Sequence, residues 1–200
     1  MLSLLFICVR AYSMELRERD TIETGARPFY GITFGKFDDK YDNPLGFLLY
    51  GRGFYELNIY PGLNLFPEAC TGWLYMNHSS ESARSLNFFP LYLNCMLDWN
   101  RLKIDIKGGS LCFNPFVGMG SYYTEYKSRR KTVTGFDFGY QFGLNTVYRH
   151  EKLKDFYIEL NIDRFFTTEK NAALAGIRFS LGVGYKFSIM GEPLKKTGIR

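Results

Sequence analysis

Ten ionisable residues fall on the polar side of alternating segments, and their types limit the chemistry open to this chain. The acids are Glu23, Glu56, Glu68, Asp137, Glu159 and Asp163, and the bases are Arg27, Arg52, Arg178 and Lys186. Charges taken into a low-dielectric interior must be paired to be tolerated. The near balance of signs predicts a salt-bridged network in an enclosed space, a polar path through that space being the other reading. Catalysis fits less well. His78 and His150 are far apart in sequence, and no Ser/His/Asp trio falls on neighbouring segments near one end. No catalytic residue is assigned, and the chain is read as a non-enzyme. Cys8, Cys70, Cys95 and Cys112 have irregular spacing that gives neither a disulfide framework nor a zinc pattern. Neither a metal nor a cofactor is expected.

The elements that must position these charges alternate with period two. In "GFDFGYQFGLNTVYRH", Phe136, Phe138, Tyr140, Phe142 and Leu144 share one side, while Gly135, Asp137, Gly139, Gln141, Gly143 and Asn145 share the other. Such alternation is that of a strand with two unlike faces. It recurs in "IETGARPFYGITF", "GFLLYGRGFYELN", the run after Pro61-Gly62, "SLNFFPLYLNCMLDW", "NPFVGMGSYYTEY", "FYIELNID" and "GIRFSLGVGYKF". Eight strands result. Polar segments at 35–45, 77–84, 127–134 and 167–172 alternate with short turns near 59–62 and 150–154. The join "NRLKIDIKGG" is compatible with a strand extension or an inserted hairpin.

Composition agrees with an all-β chain: 18% of the residues are aromatic, with 15 Tyr, 19 Phe and 20 Gly. No stretch of 18 uninterrupted apolar residues is present, so a membrane-spanning helix is not expected. The net charge of +5 is spread among acids, which argues against nucleic acid as a partner. Long loops at one end, short turns at the other and an even strand count are the plan of a transmembrane β-barrel. Lipid offers no hydrogen bonds, so a spanning sheet must close on itself. The expectation is an eight-stranded antiparallel transmembrane up-and-down barrel with its apolar rows against lipid. A soluble barrel with those rows inside is the alternative. The glycine-rich, mixed-charge polar row speaks against it, because a solvated face would be built from Lys, Thr and Ser.

Residues 1–13 are read as the end of a truncated signal peptide, with Ala11-Tyr12-Ser13 before the cleavage point; a buried N-terminal strand is the other reading. Residues 14–187 are assigned to the barrel and 188–200 to a short periplasmic tail. Lys127, Arg129, Arg130 and Lys131 form a basic patch in a predicted outer loop, able to attract host or other polyanionic ligands electrostatically. Asp38, Asp39 and Asp42 lack the spacing of an ordered calcium loop.

The last strand carries a resemblance. Ser180-Leu-Gly182-Val-Gly184-Tyr185-Lys-Phe187 is similar to the terminal signal of outer membrane barrels, read by the barrel-assembly machinery. Ser180, Gly182, Tyr185 and Phe187 match that pattern, although here the chain runs on past the terminal aromatic. Residues 85–187 resemble the second half of the small outer membrane barrels, the outer membrane protein W and OmpA-like porin families. The resemblance implies a bacterial outer membrane location, outer membrane lipid as surroundings, surface-exposed loops and periplasmic termini. For the W-type members it further implies lateral passage of small hydrophobic solutes. Phe29, Leu48, Phe54, Phe66, Phe116 and Tyr122 fall in the inward rows and would line such a pathway, or else serve as packing. A structural or adhesion barrel with a closed lumen and ligand-binding loops is the competing function.

Overall fold

The computed structural model describes residues 15–18, 21–34, 40–53, 55–80, 84–153, 155–167 and 175–188. The signal segment expected at 1–13, the tail beyond Ser188, Phe54, Asp38 and Asp39 lie outside the described residues. The strands are β1 (Glu15–Glu18), β2 (Thr21–Phe34), β3 (Leu45–Arg52), β4 (Tyr55–Tyr60), β5 (Leu63–Asn77), β6 (Ser85–Trp99), β7 (Lys103–Ile106), β8 (Gly109–Lys127), β9 (Thr132–His150), β10 (Phe156–Thr167) and β11 (Ala175–Ser188). Antiparallel pairing runs β2–β3–β5–β6–β8–β9–β10–β11, and β11 pairs back onto β2. The wall is therefore a closed eight-stranded antiparallel barrel. Closure pairs both sides of every wall strand, which satisfies the backbone without water.

Local detail departs from the expectation at three places. The stretch read as one strand over 46–58 breaks at Gly53, whose φ of 97° lies in the left-handed region that favours glycine. The chain then resumes as β4, which pairs with β1 and with the start of β5. The join after Trp99 combines both readings: a single 3-10 turn, Asn100–Leu102, leads into β7, which forms a hairpin with the first residues of β8. The segment 127–134 is no long loop. β8 and β9 stay paired up to Lys127↔Thr132, closed by a tight turn in which the Ser128 N–H donates to the Lys131 carbonyl at 2.9 Å.

The two faces follow the period. Along β10, Phe156, Ile158, Leu160 and Ile162 are exposed, while Tyr157, Glu159, Asn161 and Asp163 are buried. The same outward apolar row continues on neighbouring strands through Leu91, Leu93, Val117, Met119, Phe136, Phe138, Leu181 and Val183. Water would be a poor solvent for this belt, and one Lys or Arg at a bilayer midplane would cost about 2–4 kcal/mol. The exterior is that of a transmembrane barrel. Arg164 is an outward charge, lying toward the long-loop end, with its guanidinium 4.9 Å from the Phe166 ring centroid. That placement lets its head reach the interface while its stem stays in the belt.

Candidate functional site: a charged bore

Buried side chains from facing strands meet across the bore and join into one network. Arg27 of β2 holds two carboxylates at once. Its Nη2 donates to Glu68 Oε2 at 2.5 Å, its Nη1 to Glu68 Oε1 at 3.0 Å, and its Nε to Glu159 Oε1 at 2.6 Å. Arg52 of β3 donates through Nε to Glu23 at 2.9 Å and through Nη1 to Glu68 at 3.2 Å, and lies 3.4 Å from Glu159. Arg149 closes the set on Glu23 at 2.6 Å. Asn94 and Asn145 donate to Glu68 and Glu159 at 3.0 and 3.1 Å. Three arginines thus face three glutamates, and each glutamate serves two arginines. The side chains of Arg27, Arg52, Glu68 and Glu159 are at most 2% exposed.

Rings lie against this network, and glycines make room for them. Arg27 stacks 4.0 Å from the Tyr50 ring centroid, and the Tyr50 hydroxyl donates to that of Tyr157 at 2.9 Å. Cation–π contact of this kind strengthens when desolvated. A Cβ at Gly184 would overlap the Tyr157 ring, and one at Gly25 would overlap the Tyr50 hydroxyl. These two glycines are therefore seats for side chains of neighbouring strands.

Toward the long-loop end the bore changes character. Phe29, Leu48, Leu74, Phe88, Tyr92, Tyr122 and Phe165 are all buried and belong to one cluster. A single ion pair, Arg178 to Asp163 at 2.7 Å, sits among them, with Gln141 also accepting from Arg178. The Arg178 guanidinium is 5.0–5.6 Å from the ring centroids of Phe165, Tyr92 and Phe29.

Most of the charges expected inside are there: Glu23, Arg27, Arg52, Glu68, Glu159, Asp163 and Arg178 are buried. Lys186 is half-buried, and two acids need correction. Asp137 is only half-buried near the long-loop rim, accepting from the backbone N–H of Phe138. Glu56 lies beyond the Gly53 break on β4, half-buried and opposite Arg17. Both kept the inward parity, but parity does not give depth along the barrel. The expected ligand-lining set divides. Phe29, Leu48 and Tyr122 belong to the aromatic tier, whereas Phe66 and Phe116 pack with Met96 in a separate cluster. These residues do not line one common cavity. Arg149, Asn94, Gln141 and Tyr157 were not singled out in the sequence; their signal was only their place in an inward row.

Ser180, Gly182, Tyr185 and Phe187 lie on β11, the strand that joins β10 to β2 and closes the ring. Tyr185 meets Phe156 and Phe187 edge-on at 4.8 and 4.6 Å. Lys127, Arg129, Arg130 and Lys131 are exposed at the β8–β9 tip, where Lys127 pairs with Glu125 at 2.9 Å. Among the described residues, no cluster of three or more His, Cys, Asp or Glu could hold a metal, and Cys70, Cys95 and Cys112 are free thiols.

No protein-family model and no curated protein matches this chain. Solved structures do. Ail, the attachment invasion locus protein of Yersinia pestis, is 11% identical over 86% of this chain and 100% of its own, with a TM-score of 0.49. Neisserial surface protein A is 9% identical over 88% and 100%, with a TM-score of 0.46. A major outer membrane protein of Thermus thermophilus is 11% identical over 83% and 99%, with a TM-score of 0.46.

Proposed function

We propose that this chain is a bacterial outer membrane barrel that does not conduct ions and acts through its exposed end. The observation that carries this reading is the bore itself. Arg27 and Arg52 bridge Glu23, Glu68 and Glu159 across the barrel at 2.5–3.4 Å, with side chains no more than 4% exposed. An eight-stranded barrel holds little beyond side chains or one small ligand. Here the side chains fill its middle. The short turns face the periplasm and the β8–β9 tip faces outward, which presents Lys127, Arg129, Arg130 and Lys131 to solvent. Four cations on a tight turn attract sulfated or phosphorylated polymers at long range. Intact cells displaying the protein are expected to retain a fluorescent polysulfated glycan in a salt-sensitive manner. Replacing Arg129, Arg130 and Lys131 by Gln should abolish the retention at unchanged surface expression. Equal retention by this variant and the wild type would count against the reading.

A second reading has its own observation. An apolar trough of about 630 Å³ runs along the outer wall beside Leu65, Pro67, Leu93, Cys95, Val117 and Met119, and it reaches Phe66 and Asn94 of the inner rows. This supports entry of small hydrophobic solutes sideways from the belt. A brominated alkane soaked into crystals should then give density against Asn94, and density confined to the outer wall would exclude passage.

A further inference from the structure

At the short-turn end the bore opens into a chamber of about 220 Å³ to which seven of the eight wall strands contribute a side chain. Its charges are separated by the barrel's own symmetry. In the ring of eight, β11 and β6 are four places apart, so Lys186 and Asp98 stand on opposite walls. By the same count Glu23 on β2 stands opposite Asn114 on β8. Glu23 is already committed, one carboxylate oxygen to Arg52 and the other to Arg149.

What remains is a set of unused groups of two kinds. Arg52 is 1% exposed, with Nε and Nη1 bound to carboxylates, but its buried Nη2 has no hydrogen-bond partner among the described residues. Lys186 Nζ forms no ion pair there either. On the opposite side, the Asp98 carboxylate is without an ion pair among the described residues, and Asn114 spends its Nδ2 on the Leu97 carbonyl at 3.1 Å, which leaves Oδ1. A buried donor left unmade is costly, more so on a charged group. A plain anion would satisfy Arg52 and Lys186 but meet Asp98; a plain cation would meet three bases.

We propose that this chamber is a binding site for a small zwitterion. The carboxylate or phosphate end of the ligand takes Arg52 Nη2, Lys186 and Arg149, and its ammonium end takes Asp98 and Asn114. The volume equals that of about seven waters, which suits a ligand of that size rather than an oligomer. Two sources share this chemistry: a phosphoethanolamine lipid headgroup and a free α-amino acid.

Calorimetric titration of the full-length protein in detergent, with O-phosphoethanolamine, glycine and inorganic phosphate as probes, tests the site. Saturable binding of phosphoethanolamine or glycine is expected, and the tighter of the two identifies the source. Lys186→Met should weaken that binding at least tenfold. Asp98→Asn should weaken it similarly while inorganic phosphate binds as tightly or tighter, which a merely structural role would not do. Asn114→Leu removes the second acceptor and serves if Asp98→Asn does not fold. No saturable binding of either zwitterion, or binding equally tight in the Lys186 and acceptor-side variants, overturns the proposal.

Discussion

The two tiers of the bore bury charge in different ways. Near the short-turn end, Arg27, Arg52 and Arg149 share Glu23, Glu68 and Glu159, so that each carboxylate answers to two arginines. Near the long-loop end, Arg178 and Asp163 form one ion pair enclosed by Phe29, Tyr92 and Phe165 and linked to the first tier through the neutral side chains of Gln141 and Asn94. A shared network has no part that can be removed cleanly. A caged pair has. The first kind of burial joins facing strands across the bore; the second behaves like an apolar plug with one polar insertion.

Arg27→Met should therefore have the largest effect, because it takes the nearer of two cations from Glu68 and Glu159 together. Removing one partner of a buried pair costs about 3–5 kcal/mol. Urea unfolding of the barrel in lipid vesicles would read this loss, and a change below about 1 kcal/mol would mean that the network is not the main tie across the bore. Arg178→Met should cost less, about 3 kcal/mol, and adding Asp163→Leu should restore most of it, since a whole pair can be exchanged for apolar side chains at little cost. The corresponding double variant of the lower tier, Arg27→Met with Glu68→Leu, should recover less, because Glu159 loses its nearest cation and keeps Arg52 only at 3.4 Å. Equal recovery in both tiers would erase the distinction drawn between them.

Smaller effects sharpen it. Gly184→Ala drives a methyl group into the Tyr157 ring and should cost about 1–3 kcal/mol by overpacking. The same change at Gly51, where a Cβ would meet nothing within 4 Å, should be felt far less. At the β8–β9 tip, Arg129→Gln with Arg130→Gln should leave stability within about 0.5 kcal/mol, as exposed positions do. Thermal scans of heat-modifiable gel mobility would rank all three.

The sequence made the faces legible because period two is a local property. Phe156 to Asp163 alternate outward and inward without exception, and the mixed charge of the inward rows already implied pairing. What it could not give is who meets whom. Arg27 and Glu159 are 132 residues apart, and Tyr50 and Tyr157 are 107 apart; each contact exists only once the ring closes. Depth was equally hidden. Asp137 and Glu56 share the parity of the buried acids but stand near a rim and beyond the Gly53 break. That break carried one local signal, an isolated glycine within a strand run, and the strand pattern around it was regular enough to mask it.

Single-channel recording of the purified barrel in a planar bilayer tests the closed bore most directly. The wild type should show no stable conductance steps at neutral pH, and Arg27→Met should introduce them by removing the nearer cation from both Glu68 and Glu159. Steady, ohmic steps from the wild type, unaltered in Arg27→Met, would contradict a bore sealed by paired charge.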